Sequence, residues 1–162
     1  MRRVLCLATL MFMGCGGGGQ PKSADSSDLK LMLRNGEDPG KQCLVDANVA
    51  RHAPADAPER IDLAHIVVRH AGVKDAGDVT RTREEACLRA IEAREKLFAG
   101  GEWDDVYAVY SDSKGATHGA IYDATQGSLD PQFAGSAFSL QVDELSHPVE
   151  TKRGFHIIWR KK

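Results

Sequence analysis

Seven residues, Gly154-Phe155-His156-Ile157-Ile158-Trp159-Arg160, demand burial on two sides. Side chains alternate along an extended chain, so Phe155, Ile157 and Trp159 point one way and His156 and Ile158 the other. A strand that is apolar on both faces belongs in the middle of a sheet covered above and below. His156 is then an inward histidine. On position alone such a residue reads as a satisfied core polar group before it reads as a catalyst.

Ile61 to Arg69 forms a second strand, with Ile61, Leu63, His65, Val67 and Arg69 on one face and Ala64, Ile66 and Val68 on the other. His65 sits in its middle among apolar residues and is a second inward histidine. Gly72, Asp75 and Gly77 mark a loop. Thr82 to Phe98 reads as a helix, with Thr82 as cap and Glu85 at capping-box spacing. Ala86, Ala90, Ala93 and Leu97 line its inner face. Gly100-Gly101 ends it, and Glu102 to Tyr110 starts a further helix with Trp103, Val106, Tyr107 and Tyr110 as core. A polar turn from Ser111 to Gly119 leads to a short strand at Ala120-Ile121-Tyr122. A helix from Asp130 to Phe138 and a strand from His147 to Glu150 precede the terminal strand. Strands and helices do not alternate strictly, so the class is α+β, a small sheet with helices packed on it.

The opening of the chain reads as an export signal. Arg2 and Arg3 form a positive region before a ten-residue apolar run, Val4 to Met13. A bilayer span needs about 20 residues, so the run is too short to cross. Phe12-Met13-Gly14-Cys15 resembles a bacterial lipobox, with residues 1–14 removed and Cys15 acylated; Phe12 stands where the usual box has Leu. A plain secretory signal with an incidental cysteine is the alternative. Acyl chains on Cys15 would anchor the chain to a membrane surface without spanning it, on the periplasmic side of the outer membrane given Gly16 after the cysteine. Residues 15–28 read as a flexible tether reaching about 20 Å.

Removing residues 1–14 takes away Arg2 and Arg3 and no acid, so the formal charge moves from -2 to -4. A mildly acidic, mixed-sign chain has no basic footprint for nucleic acid. Residues 29–60 read as an appendage or linker: Leu29 to Arg34 fits a short helix capped by Asp28 or a strand, and Pro54 and Pro58 mark a connector. The residues after the tether, 29–162, are enough for one ordinary core and not for two. With Cys6 in the signal and Cys15 assigned to lipid, Cys43 in a connector and Cys87 in a helix are left to pair or to stay free. No metal site is expected, since the histidines at 52, 65, 70, 118, 147 and 156 form no His-x-x-x-His pair and no Cys-x-x-Cys occurs.

Seven pieces in order then resemble one family. They are Ala64-His65-Ile66-Val67-Val68, the Thr80-Arg81-Thr82-Arg83-Glu84-Glu85-Ala86 helix start, Tyr110-Ser111-Asp112, Gly127 with Phe133, Ala137-Phe138, Ser146-His147-Pro148-Val149 and Gly154-Phe155-His156-Ile157-Ile158. Together they resemble a parvulin-type (PpiC-like) peptidyl-prolyl cis-trans isomerase, with a helix start similar to that of the phospho-directed branch. The resemblance implies a parvulin-like domain of the FKBP-like superfold over residues 61–162, a four-stranded antiparallel sheet surrounded by helices. It implies that His65 and His156 meet at the sheet centre and satisfy each other. It also implies a proline pocket of Ile121, Leu129 and Phe133, each of which reads as plain core when taken alone. No cofactor is required, and the partners are proline-containing unfolded or exported polypeptides.

The sequence departs from the family at several points. Ser113 falls where the family carries Cys or Asp beside the rotating amide; it is the third catalytic candidate with His65 and His156. A serine supplies neither thiolate nor charge. The family's Gly-Asp-Leu-Gly turn is Gly119-Ala120-Ile121-Tyr122, with Tyr122 expected to narrow the rim. Arg69, Lys74 and Arg153 are candidates for a basic rim that favours an acidic residue before proline, against the reading of solvated surface charges. The expectation is a lipid-tethered isomerase of the cell envelope that assists exported proteins. The alternative is a chaperone or peptide-binding module on the same fold with little turnover.

Overall fold

In the computed structural model the described residues are Gly36 and residues 38–162. The signal, Cys15, the tether and the element expected at Leu29 to Arg34 lie outside them. The elements in order are α1 (Pro39–Ala47), β1 (Ile61–Val68), α2 (Arg83–Phe98), α3 (Trp103–Tyr110) and β2 (Ala120–Ala124). A one-turn 3-10 segment (Gln126–Ser128), α4 (Pro131–Ser139), β3 (Val149–Thr151) and β4 (Gly154–Arg160) complete them.

The strands form one four-stranded antiparallel sheet in the order β2-β1-β4-β3. The two most apolar strands, β1 and β4, are thus central, as their two-sided burial requires. Alternation splits the core into two layers. Ile66, Val68, Phe155, Ile157 and Trp159 pack with α1, α2 and α3 on one face. Ile61, Leu63, Val149 and Ile158 pack with Phe133, Ala137 and Phe138 of α4 on the other. The parvulin-like architecture expected from the sequence is therefore present.

Thr82 and Glu85 close the capping box at the start of α2. The inward alanines are buried, and so is Arg94, whose Nε donates to the Ser146 carbonyl at 2.9 Å. The strand expected at His147 to Glu150 starts later, at Val149. Pro148 has no N–H to offer a ladder, and Ser146 is already engaged with β4, its N–H donating to Ile158 O and its hydroxyl accepting from Ile158 N.

Cys43 lies in a helix rather than in the expected connector, because Asp38 caps α1 and Pro39 opens it. From there Cys43 forms a disulfide with Cys87 of α2. The end of α1 and the segment after it lie against α4 and its core layer: the Gln132 side chain donates to Ala47 O at 3.1 Å, and Ala53 and Ala57 pack against the second core layer. A Cβ at Gly135 would come within 2.0 Å of the Arg51 carbonyl oxygen, so glycine is what permits the close approach.

Candidate active site

A cavity of about 390 Å³ opens beside the α4 face of the sheet, between β1, β4, β2 and the start of α4. Its apolar side is Ile121, Leu129 and Phe133. Local structure sets each of these. Ile121 faces Leu63 across the β1–β2 ladder. The Thr125–Ser128 reciprocal hydrogen bonds close the 3-10 turn that delivers Leu129. Asp130 caps α4 through the Gln132 and Phe133 amides, which fixes where Phe133 starts.

The floor is polar, with His156 buried and His65 half-buried. His65 and His156 lie nearly parallel, 18° apart, with Nδ1 to Nδ1 at 3.1 Å. The Phe133 ring stands nearly perpendicular to both, at 5.3 Å and 5.2 Å between centroids. Thr151 Oγ1 is 2.8 Å from His156 Nε2 and accepts the Arg153 N–H at 3.1 Å. The proton positions are linked: a hydroxyl donated by Thr151 to His156 Nε2 puts the His156 proton on Nδ1, which makes His65 Nδ1 its acceptor. Burial, with Arg153 nearby, lowers the His65 pKa to about 4. Burial, His65 and Arg153 hold His156 well below its ordinary value. Both imidazoles are neutral at pH 7, so the floor is a dipolar surface without net charge.

The structure brings His65, His156, Ile121, Leu129, Phe133 and Arg153 together around one space. Ser113, Arg69 and Lys74 are not among the lining residues. Ser113 sits in the turn after α3, where its N–H donates to Ser111 Oγ and its carbonyl accepts from the same hydroxyl. The Arg69 N–H is bound to Asp112, and Lys74 is exposed in the loop. Tyr122 does not narrow the mouth: it is 71% exposed and is not among the lining residues. Sequence reasoning missed Thr151, Lys152, Ser128 and Asp130. Thr151 had a signal, a hydroxyl residue opening a two-residue hairpin turn before Gly154 and the inward histidine.

The geometry suits a small ring held against an apolar wall with a planar amide over the histidines. Such a site binds and desolvates.

A family model described as the PPIC-type PPIase domain (rotamase) matches residues 65–162. The putative peptidyl-prolyl cis-trans isomerase dodo of Drosophila melanogaster is 33% identical over 113 residues, 65% of this chain and 68% of dodo. The foldase protein PrsA of Bacillus subtilis is 37% identical over 71 residues, 43% of this chain and 24% of PrsA. The solved peptidyl-prolyl isomerase ESS1 from Candida albicans shares the fold, with a TM-score of 0.58 at 20% identity over 84% of this chain and 73% of ESS1.

Proposed function

Because the chain belongs to the PPIC-type peptidyl-prolyl isomerase family, we propose that it uses this activity on exported polypeptides while tethered to the cell envelope. The observation that carries the reading of the site is the pairing of the Ile121, Leu129 and Phe133 wall with a neutral two-histidine floor.

The reaction asks for little beyond that. Rotation about an X-Pro bond faces a barrier of about 18–20 kcal/mol and takes tens to hundreds of seconds unaided. The barrier is amide resonance, which is lost as the carbonyl twists out of plane. In this reading the proline ring rests against Phe133, Leu129 and Ile121, which exclude water and hold one side of the bond still. His65 and His156 present fixed dipoles where the twisted carbonyl moves, in surroundings that need no reorganisation. No proton is transferred and no bond is made. Ser113 would act at a distance, through the turn whose Ser111 hydroxyl also meets the Val67 N–H of β1.

Three observations support the envelope setting. The Arg2 to Cys15 sequence has the form of a lipoprotein signal. The Cys43–Cys87 disulfide fits an oxidising compartment. One of the relatives is a foldase by name. The placement of Ser113 outside the cavity lining keeps a second reading in view, a chaperone that holds unfolded segments with little turnover. Refolding of a disulfide-free protein limited by prolyl isomerisation separates the two. Catalytic amounts of this chain should accelerate the slow phase; suppression of aggregation only at equimolar amounts would favour the holding role. Loss of membrane association in a Cys15→Ser variant tests the tether, and retention would count against it.

A further inference from the structure

The turn between β3 and β4 puts Lys152 and Arg153 on the lining of the cavity, both exposed, and neither pairs with a carboxylate among the described residues. This sets them apart from Arg81, which bonds Asp112, and Arg83, which bonds Glu150. The carboxylates that could have neutralised them are engaged elsewhere. Glu150, two residues before Lys152, accepts from Arg83 and from Asn48 at 2.7 Å. Asp130, on the cavity lining itself, is bound to the Gln132 and Phe133 amides at the N-terminus of α4. The histidine floor carries no charge at neutral pH. The mouth therefore holds two cations against one carboxylate that is already stabilised by a helix end.

The turn is also held in place. Thr151 Oγ1 takes the Arg153 N–H while contacting His156, so the backbone bearing the guanidinium is fixed to the floor of the site. A rigid turn with two unpaired cations beside a proline-sized apolar wall is built for an anion on the substrate.

We propose that the Lys152-Arg153 turn is the subsite for a carboxylate carried one or two residues from the proline, which makes acidic X-Pro sequences the preferred substrates. The inference rests on the isomerase reading of the cavity. It replaces the rim of Arg69, Lys74 and Arg153 expected from sequence with a single hairpin turn.

The test uses the full chain and end-blocked peptides with Glu, Ala or Lys immediately before or immediately after proline. Isomerisation and peptide binding are measured in parallel. Glu peptides should exceed Ala peptides by about three- to fivefold in kcat/KM, and Lys peptides should fall below Ala. The preference should shrink as salt is raised. In a Lys152→Ala/Arg153→Ala double variant the Glu-to-Ala ratio should fall to about one, and Arg153→Glu should turn the order toward Lys. The ratio is read within each variant, so a general loss of activity does not move it. Equal turnover of Glu, Ala and Lys peptides by the unaltered chain would overturn the proposal, as would a Glu preference that survives the double variant. If no peptide turns over, the isomerase reading fails separately. The binding series then decides the subsite: tighter Glu peptides support it, and equal affinities overturn it.

Discussion

His65 and His156 meet diagonally across the two central strands. In the β1–β4 register His65 faces Ile158 and His156 faces Val67, yet the two imidazole nitrogens stand 3.1 Å apart on the α4 side of the sheet. The pair satisfies one nitrogen of each ring, and Thr151 Oγ1 meets the remaining nitrogen of His156 at 2.8 Å. His156→Ala leaves His65 and Thr151 facing a void and should cost about 1–3 kcal/mol of stability, with a clear loss of isomerase activity. Denaturant unfolding and turnover of His65→Ala and His156→Ala check this. A His65→Ala chain with stability and turnover intact would contradict the paired-histidine floor.

The same pair makes stability depend on pH. His65 titrates near pH 4 when folded and near 6.5 when unfolded, so between those values the unfolded chain binds the extra proton. The contribution is present above pH 6.5 and is lost as pH falls toward 4, a loss on the order of 3 kcal/mol for His65. His156 shifts in the same direction and adds to the loss. Imidazole resonances followed by NMR should show neither ring protonated at pH 5.5, and melting temperature should fall from pH 7 to pH 4.5. Arg153→Ala removes a nearby positive charge and should raise the His65 pKa.

The disulfide joins α1 to α2 across a sequence separation of 44 residues. Breaking it should cost about 2–4 kcal/mol. Reductant should lower the melting temperature of the unaltered chain and leave a Cys43→Ser/Cys87→Ser variant unmoved.

At Gly135 even a methyl group would collide with the Arg51 carbonyl, so Gly135→Ala should lift residues 51–57 off α4. We expect a destabilisation of about 1–3 kcal/mol and faster proteolysis within that segment, read by limited digestion and denaturation.

What was legible in the sequence was what short-range rules determine. Phe155 to Trp159 showed two-sided burial by alternation alone, and Thr82 with Glu85 marked the start of α2 by spacing alone. The His65–His156 pairing was legible because two inward histidines need partners and a family resemblance supplied the topology. Other features depend on where distant segments land. Arg94 looks like an ordinary surface charge on α2, but its partner, the Ser146 carbonyl, lies 52 residues on. Whether Cys43 reaches Cys87 depends on the packing of α1, which no local pattern encodes. Of the three rim cations expected by chain position, Arg153 lines the cavity and Arg69 and Lys74 do not, whereas Lys152 joins the lining only because of where the hairpin turn lands.

Phe133 stands nearly perpendicular to both histidines and, with Ile121 and Leu129, forms the apolar wall where the proline ring would rest. The decisive measurement is protease-coupled cis-trans isomerisation of an X-Pro peptide by the unaltered chain and by Phe133→Ala, each first confirmed to be folded. The account predicts turnover well above the uncatalysed rate for the former and a loss of at least tenfold for the latter, about 1.4 kcal/mol or more of transition-state stabilisation. Equal turnover by the two folded chains would contradict it, because the cavity would then not be where the bond rotates.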